Sequence, residues 1–249
     1  MIASRISLMK LPVLHGLIDR RILASYRIQS DVAARMVPAP FRPQLVQGFA
    51  IAGICLIRLK QIRPWFFPWR WGIASENAAH RIAVEWTENG TVRQGVFIPR
   101  RDTSSRINTW VGGTVFPGVH HHARFDVHES ATEISVALQS DDGSTRVHVA
   151  GHLAAQLPAT SVFASVAEAS AFFQRGSLGY SPTGRPGQWD GLELRCTRWD
   201  VQPLEIERIQ SSFFENTELF PTGSVTFDHA LLMRGIEHEW HSRGELCGC

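Results

Sequence analysis

Lysine is almost missing from this chain. Of 25 basic residues only Lys10 and Lys60 are lysine, and the other 23 are arginine. Clustered charge of one sign is lacking too. The formal charge is +2 and the arginines are scattered, which excludes the basic footprint of a nucleic-acid binder. Long apolar runs are absent: the longest, residues 48–57, is far shorter than the roughly 20 residues a membrane-spanning helix needs. The first segment, MIASRISLMKLPVLHGLIDRR, has no continuous apolar stretch followed by a small-residue cleavage site, so a cytoplasmic location is expected. Cysteine is sparse. Cys55 and Cys196 lie in apolar, strand-like segments and read as buried free thiols, while Cys247 and Cys249 form a C-x-C with no second pair nearby to complete a metal site. No serine sits in a G-x-S-x-G elbow, which argues against a hydrolase triad. Neither a fixed-period repeat nor a low-complexity linker interrupts the chain. One domain over residues 1–249 is expected, with residues 1–19 as an N-terminal extension and residues 242–249 as a frayed tail.

What is present is apolar residue at 44%, enough for a sizeable core, arranged in short runs with turn signals between them. ILASYRI, FAIAGICLIRL, HRIAVEW, QGVFIP, HHARFDVHE, EISVALQS, RVHVAGHLA, LELRCTRWDVQPLEI and SSFFEN are rich in β-branched or aromatic residues and have strand lengths. Asn89-Gly90 and Asp142-Gly143 are hairpin turns by composition. Three helices are expected. One is capped by Ser30 or Asp31 and stops at Pro38; one runs from about Ser165 to Gly176; the third lies in FDHALLMRGIEHEWHSR, where Leu231, Leu232, Ile236 and Trp240 show helical spacing. The fold class that follows is α+β, mostly antiparallel β, with a sheet curled or closed to remove its edges and a few peripheral helices.

The order SYRIQSDVAARMVPAPF then FAIAGICLIRL resembles the entry of the acetoacetate decarboxylase superfamily. SENAAHRIAVEW, GVFIPRRDTSSRINTWVGG, GYSPTGRPGQWDGLELRCTRWDVQPL and FDHALLMRGIEHEW are similar to its uncharacterised bacterial branch, and the likeness covers roughly residues 20–240. The resemblance implies a cone-shaped antiparallel β-barrel around a small-molecule cavity. It does not carry over the Schiff-base lysine: the matching segment, residues 101–122, contains none, and the position falls near Asn108 or near Gly118 and Val119. Lys60 ends a strand beside Arg58 and reads as solvated. A glutamate of the family's second long strand is replaced near Ile51, whereas Glu76 aligns with an acidic residue that lines the family's cavity.

The polar residues can be weighed beside that likeness. In IPRRDTSSR, Arg100 and Arg101 point to opposite faces of a continuing strand, so one of them faces inward. A guanidinium keeps its charge on burial, and therefore needs a carboxylate such as Glu76 or Asp102, or an anionic ligand; Arg81 carries the same two readings. Alternation puts His120 and His122 on one face and His121 on the other. A histidine pair at i, i+2 can start a metal site, but no third ligand is evident, and cavity lining is the better reading. His238 and His241 read as a polar helix face. The segment RPWFFPWRWG reads as a loop covering one end of the barrel, with a substrate lid, a dimer contact or a membrane-surface anchor as alternatives; its exposed aromatic residues 65–71 together with the resemblance lead to the expectation of a homo-oligomer. In RGSLGYSPTGRPG, Tyr180 and Ser181 are placed to reach the cavity mouth.

These residues predict a barrel that binds a small carbonyl compound or organic acid with no cofactor. If it is catalytic, a lyase, hydratase or isomerase step through an enolate fits best. Arg101 would stabilise negative charge, Glu76 or His120 would move the proton, and Arg81, Arg100, Asp102, Asn108, His122 and Tyr180 would bind substrate. The competing readings are a non-catalytic ligand-binding barrel and a metal-dependent enzyme built on His120 and His122.

Overall fold

The structure, a computed structural model, describes residues 13–66, 72–106, 118–183 and 185–247. Its strands are β1 (Leu14–Gln29), β2 (Arg42–Pro43), β3 (Leu45–Val46), β4 (Phe49–Pro64), β5 (Ile73–Glu88), β6 (Thr91–Thr103), β7 (His120–Glu129), β8 (Glu133–Ser140), β9 (Arg146–Leu153), β10 (Leu178–Pro182), β11 (Gln188–Cys196), β12 (Gln202–Ser211) and β13 (Val225–Cys247). Among the described residues two helices accompany them, α1 (Ser30–Met36) and α2 (Val166–Arg175). The α1 turn stops where Val37, forced extended by the following Pro38, leaves helical geometry. In α2, Ser165 Oγ accepts from the Glu168 N–H at 3.1 Å, and Glu168 reaches back to the Ala164 N–H at 2.8 Å, which fixes the first turn.

The third expected helix is a strand. Leu231 and Leu232 face opposite sides of the sheet: Leu231 packs with Met233 and Ile236 against Leu23 and Ile57, while Leu232 and Ala230 join Ile22 and Ile54. Burial on both faces makes a nearly continuous apolar run, whose spacing no longer separates strand from helix. On this strand His238 and His241 fall on opposite faces, so they form no shared polar face. β13 also runs through the expected tail. Residues from His238 onward pair with β11, and β1 already pairs with β13 and β4 from Leu14, so the two expected terminal appendages are shorter than the sequence implied. SSFFEN is a turn after Ser211 rather than a strand. Its Phe214 stacks on Tyr26 at 4.2 Å, so the aromatic residues that suggested a strand serve as a plug instead.

The ladder order is β11-β10-β6-β7-β8-β9-β12-β13-β1-β4-β5-β2, with further pairings β5–β6 and β11–β13. These extra pairings close the sheet twice. Strands β13, β1, β4, β5 and β6 form a common wall; one return path runs through β7, β8, β9 and β12, and the other through β10 and β11, giving rings of nine and seven strands. Most pairings are antiparallel, but β6 pairs in parallel with both β7 and β10. The hairpin turns fall where composition placed them, with Asn89 and Gly90 both at positive φ between β5 and β6.

The two faces of the wall carry different cores. Ile22, Ala24, Ile54, Leu56 and Ile82 pack with Val136, Val149 and Leu204 of the larger ring. Leu23, Cys55, Ile57 and Leu231 pack with Leu194 of the smaller ring and with Phe163, Ala169 and Phe173 on and before α2. Trp65 and Phe66 are exposed, in line with the expected aromatic segment, while its residues 67–71 lie outside the described residues. Among the described residues no helix is long and apolar enough to cross a membrane.

Candidate functional site

A cavity of about 120 Å³ lies within the seven-strand ring, and every strand of that ring contributes to its wall. One part of the lining is apolar: Ile57, Leu59, Ile98, Leu192, Leu194 and Trp240. The other part is polar, with Arg21, Cys55, Ser75, Asn77, Arg81, Arg101 and His120. Alternation along β5 explains the selection, because Ser75, Asn77, Ala79 and Arg81 share one face of the strand. Arg101 reaches the same space from β6. His120 follows because the parallel pairing of β6 with β7 sets it directly beside Arg101. Gly118 makes that junction possible. Its φ is +85°, and a Cβ there would stand 2.6 Å from the Ser181 Cβ, so a side chain would be both strained and obstructed.

Three guanidinium groups thus converge on one cavity, and among the described residues no carboxylate is paired with any of them. Arg21 makes soft contacts: Nε to Cys55 Sγ at 3.4 Å, Nη1 to Met233 Sδ at 3.9 Å, and the Trp199 ring at 5.5 Å. Arg81 is 6% exposed, lies over the Phe173 ring at 5.3 Å, and its Nη2 has no hydrogen-bond partner. Burial pulls its pKa down to about 10, with Cys55 opposing that shift and Arg21 adding to it. Arg101 donates from Nε to Ser181 Oγ at 2.9 Å, and burial lowers it to about 10 as well. Both remain charged at neutral pH. His120 Nδ1 lies 3.1 Å from the Gly118 carbonyl; burial and then the Arg101 charge lower its pKa to about 4, so the ring is neutral at pH 7. Thr103 donates to Asn77 Oδ1 at 2.8 Å, and Asn77 Nδ2 donates to Ser75 Oγ at 2.9 Å, which fixes the polar rim.

Several expected site residues lie elsewhere. Glu76 is on the opposite face of β5, because its neighbours Ser75 and Asn77 take the cavity side. There it binds Arg20 and Arg58 in a transverse row, Arg234–Arg20–Arg58–Glu76, that crosses four strands, with Glu129 of β7 closing on the same arginines. Glu76 therefore does not line the cavity. Arg100 also faces away: it pairs with Asp102 at 2.7 Å and with Asp142 at 3.1 Å. Asp102 borders the cavity, but its carboxylate is held by Arg100, and burial raises its pKa despite that partner. His122 is bound to Asp141 at 2.8 Å and does not line the cavity, and His121 is bound to Asp142 at 3.1 Å. Tyr180 is in the core, edge-on to Trp86 at 5.3 Å, since alternation along β10 turns Gly179 and Ser181 toward the cavity side instead. Asn108 lies outside the described residues. Among the described residues no group of three His, Cys, Asp or Glu side chains could hold a metal ion. Lys60, the one lysine described, is half-exposed beside Asp19 at 3.0 Å and is no part of the cavity.

The sequence reading missed Arg21, Cys55, Ser75 and Asn77. Arg21 carried a usable signal: two adjacent arginines inside an otherwise apolar strand must send one charge to each face.

A family described as DUF2071, uncharacterized conserved protein, matches residues 18–236. No curated protein matches. Solved structures of similar fold include acetoacetate decarboxylase from Legionella pneumophila subsp. pneumophila str. Philadelphia 1, with TM-score 0.60 and 9% identity over 98% of this chain and 93% of that one. An acetoacetate decarboxylase-like enzyme from Sphingomonas wittichii RW1 gives TM-score 0.57 and 13% identity over 99% and 100%. The enduracididine biosynthesis enzyme MppR complexed with pyruvate gives TM-score 0.57 and 11% identity over 98% and 93%. At these identities the likeness establishes the fold, which is the acetoacetate decarboxylase-like one.

Proposed function

Since the chain belongs to the DUF2071 family and has the acetoacetate decarboxylase-like fold, we propose that its cavity binds a small organic acid, with the carboxylate anchored by Arg81 and Arg101. The observation that carries this reading is the set of three cavity guanidinium groups to which no carboxylate among the described residues is paired. Burying such charges without a counter-charge costs several kcal/mol per ion, and an anionic ligand is the natural source of the missing charge. The apolar wall of Ile57, Leu59, Ile98 and Leu192 would take the hydrocarbon part of the molecule. MppR, similar only in fold, has been seen with pyruvate, a small organic acid.

A lyase, hydratase or isomerase step through an enolate is compatible with this cavity, with Arg101 or Arg21 stabilising the developing negative charge. Glu76 is removed from that scheme by its position. His120, neutral at pH 7 and of low basicity, would serve as a hydrogen-bonding group beside the anion rather than as the general base. Among the described residues no lysine lines the cavity, and the proposed chemistry uses no imine. The direct test is calorimetric titration of acetate, lactate and acetoacetate, each against its neutral amide. Binding of the acids alone, lost in Arg101→Met, supports the reading. Equal binding of acids and amides, or no binding of any acid, overturns it.

A further inference from the structure

We propose that Cys55 is the nucleophile of this cavity, and that the acids it takes are 2-oxo acids, captured reversibly through addition of Sγ to the carbonyl carbon. This rests on the organic-acid reading above and goes beyond it by naming the reacting group and the substrate class.

Four observations carry the inference. Cys55 is a free thiol. It lies on β4 with its side chain on the cavity face, in register between Leu23 of β1 and Ala79 of β5, so the closed ring holds it rigidly. Arg21 Nε points at Sγ from 3.4 Å. Arg81, more than nine-tenths buried on the same wall, keeps Nη2 without a partner, which marks the place where a ligand oxygen is wanted. Among the described cavity-lining side chains Cys55 is the softest nucleophile, the other candidates being the Ser75 and Ser177 hydroxyls and the His120 imidazole.

Geometry then selects the electrophile. A carboxylate gripped by the arginines that flank Cys55 brings the carbon next to that carboxylate toward Sγ, and in a 2-oxo acid that carbon is the carbonyl. Fixing the pair in one small enclosure replaces a bimolecular encounter by a positioned one. In the step itself the S–C bond forms and the C=O π bond breaks. The thiol proton passes to the former carbonyl oxygen, giving a thiohemiketal hydroxyl, so no oxidant, reductant or further reactant is required. Arginines around the nascent oxyanion favour the addition before that proton arrives.

The test is alkylation of the full-length protein by iodoacetate and by iodoacetamide, which differ in charge but little in size, with each cysteine followed by peptide mass spectrometry. Cys55 is expected to react at least about tenfold faster with the anionic reagent, a preference that Arg81→Met removes and that Cys196, outside the cavity lining, does not share. Pyruvate should slow the reaction at Cys55 much more than lactate, which has the carboxylate but no carbonyl. An unreactive Cys55, or one that prefers the neutral reagent, overturns the proposal. Equal protection by lactate and pyruvate also overturns it while leaving organic-acid binding intact. Protection by neither overturns the binding reading as well.

Discussion

Replacing Arg81 by methionine should make the protein more stable and blind to its ligand at once. The guanidinium is 6% exposed, meets no carboxylate among the described residues, and is held down to about 10 by burial. A depression of that size corresponds to about 3 kcal/mol of penalty on the charged form, at roughly 1.4 kcal/mol for each tenfold change. The sign is fixed by linkage. Below pH 10 the group is protonated in both folded and unfolded chains, so the full penalty is present at neutral pH and is relieved only as pH rises above the folded value. Against it stands the contact with the Phe173 ring at 5.3 Å, worth about 2 kcal/mol at most in a desolvated setting. Methionine keeps most of the stem and needs no counter-charge. The expected net is a gain of about 1 to 3 kcal/mol, or a rise in Tm of about 2 to 10 °C for a chain of this length. Thermal unfolding with and without a small acid reads both effects. Wild-type protein at a hundred times the Kd should gain about 2.7 kcal/mol from the ligand, and Arg81→Met nothing. A variant that melts lower than wild type and still shifts with the acid would refute the reasoning, because Arg81 would then be a structural element with a partner.

Glu76→Gln should do the reverse: breaking the partly buried row with Arg20 and Arg58 should cost about 3 kcal/mol in urea unfolding, while calorimetric binding of a small acid stays unchanged. Stability should also fall in mild acid. Burial, then Arg100, holds His80 at about 3, and burial, then Arg21, holds His238 at about 4, so each ring protonates first in the unfolded chain. Their contribution is complete above pH 6.5 and should be lost at roughly 2 kcal/mol per ring between pH 6.5 and 5, a loss that urea titrations at the two pH values would detect and His238→Gln would reduce.

Much of the fold could be read from the residues, and the reasons for the misses are physical. Asn89-Gly90 and Ser165 to Gly176 act locally through turn and cap chemistry, and both were legible. β13 was not, because a strand buried on both faces loses the alternation that identifies strands. Alternation foresaw that Arg100 and Arg101 take opposite faces, but it left open which of them meets the cavity, and the β6–β7 pairing that sets His120 beside Arg101 had no local signal. Which face belongs to the cavity is a property of ring closure, and no local pattern reports it. Glu76 therefore went to the wrong side, and Tyr180 with it, while Cys55 passed for an ordinary core thiol. The resemblance suggested the closed sheet, but the arginines that distinguish this cavity had to be placed by the structure.

The shared wall has a consequence for how such a chain can change. β5 is two interleaved messages: Ser75, Asn77 and Arg81 spell the chemistry of one compartment, and Glu76, His80 and Ile82 spell the cohesion of the other. Substitutions edit one message and leave the other readable. A one-residue insertion near the start of β5 shifts the frame of everything before it, sending the Glu76 carboxylate toward the arginines of the cavity and Ser75 or Asn77 toward the stranded Arg20 and Arg58. Length variation tolerated by this architecture should therefore collect in the joints between strands, and new ligand preferences should arise by single replacements at every second position.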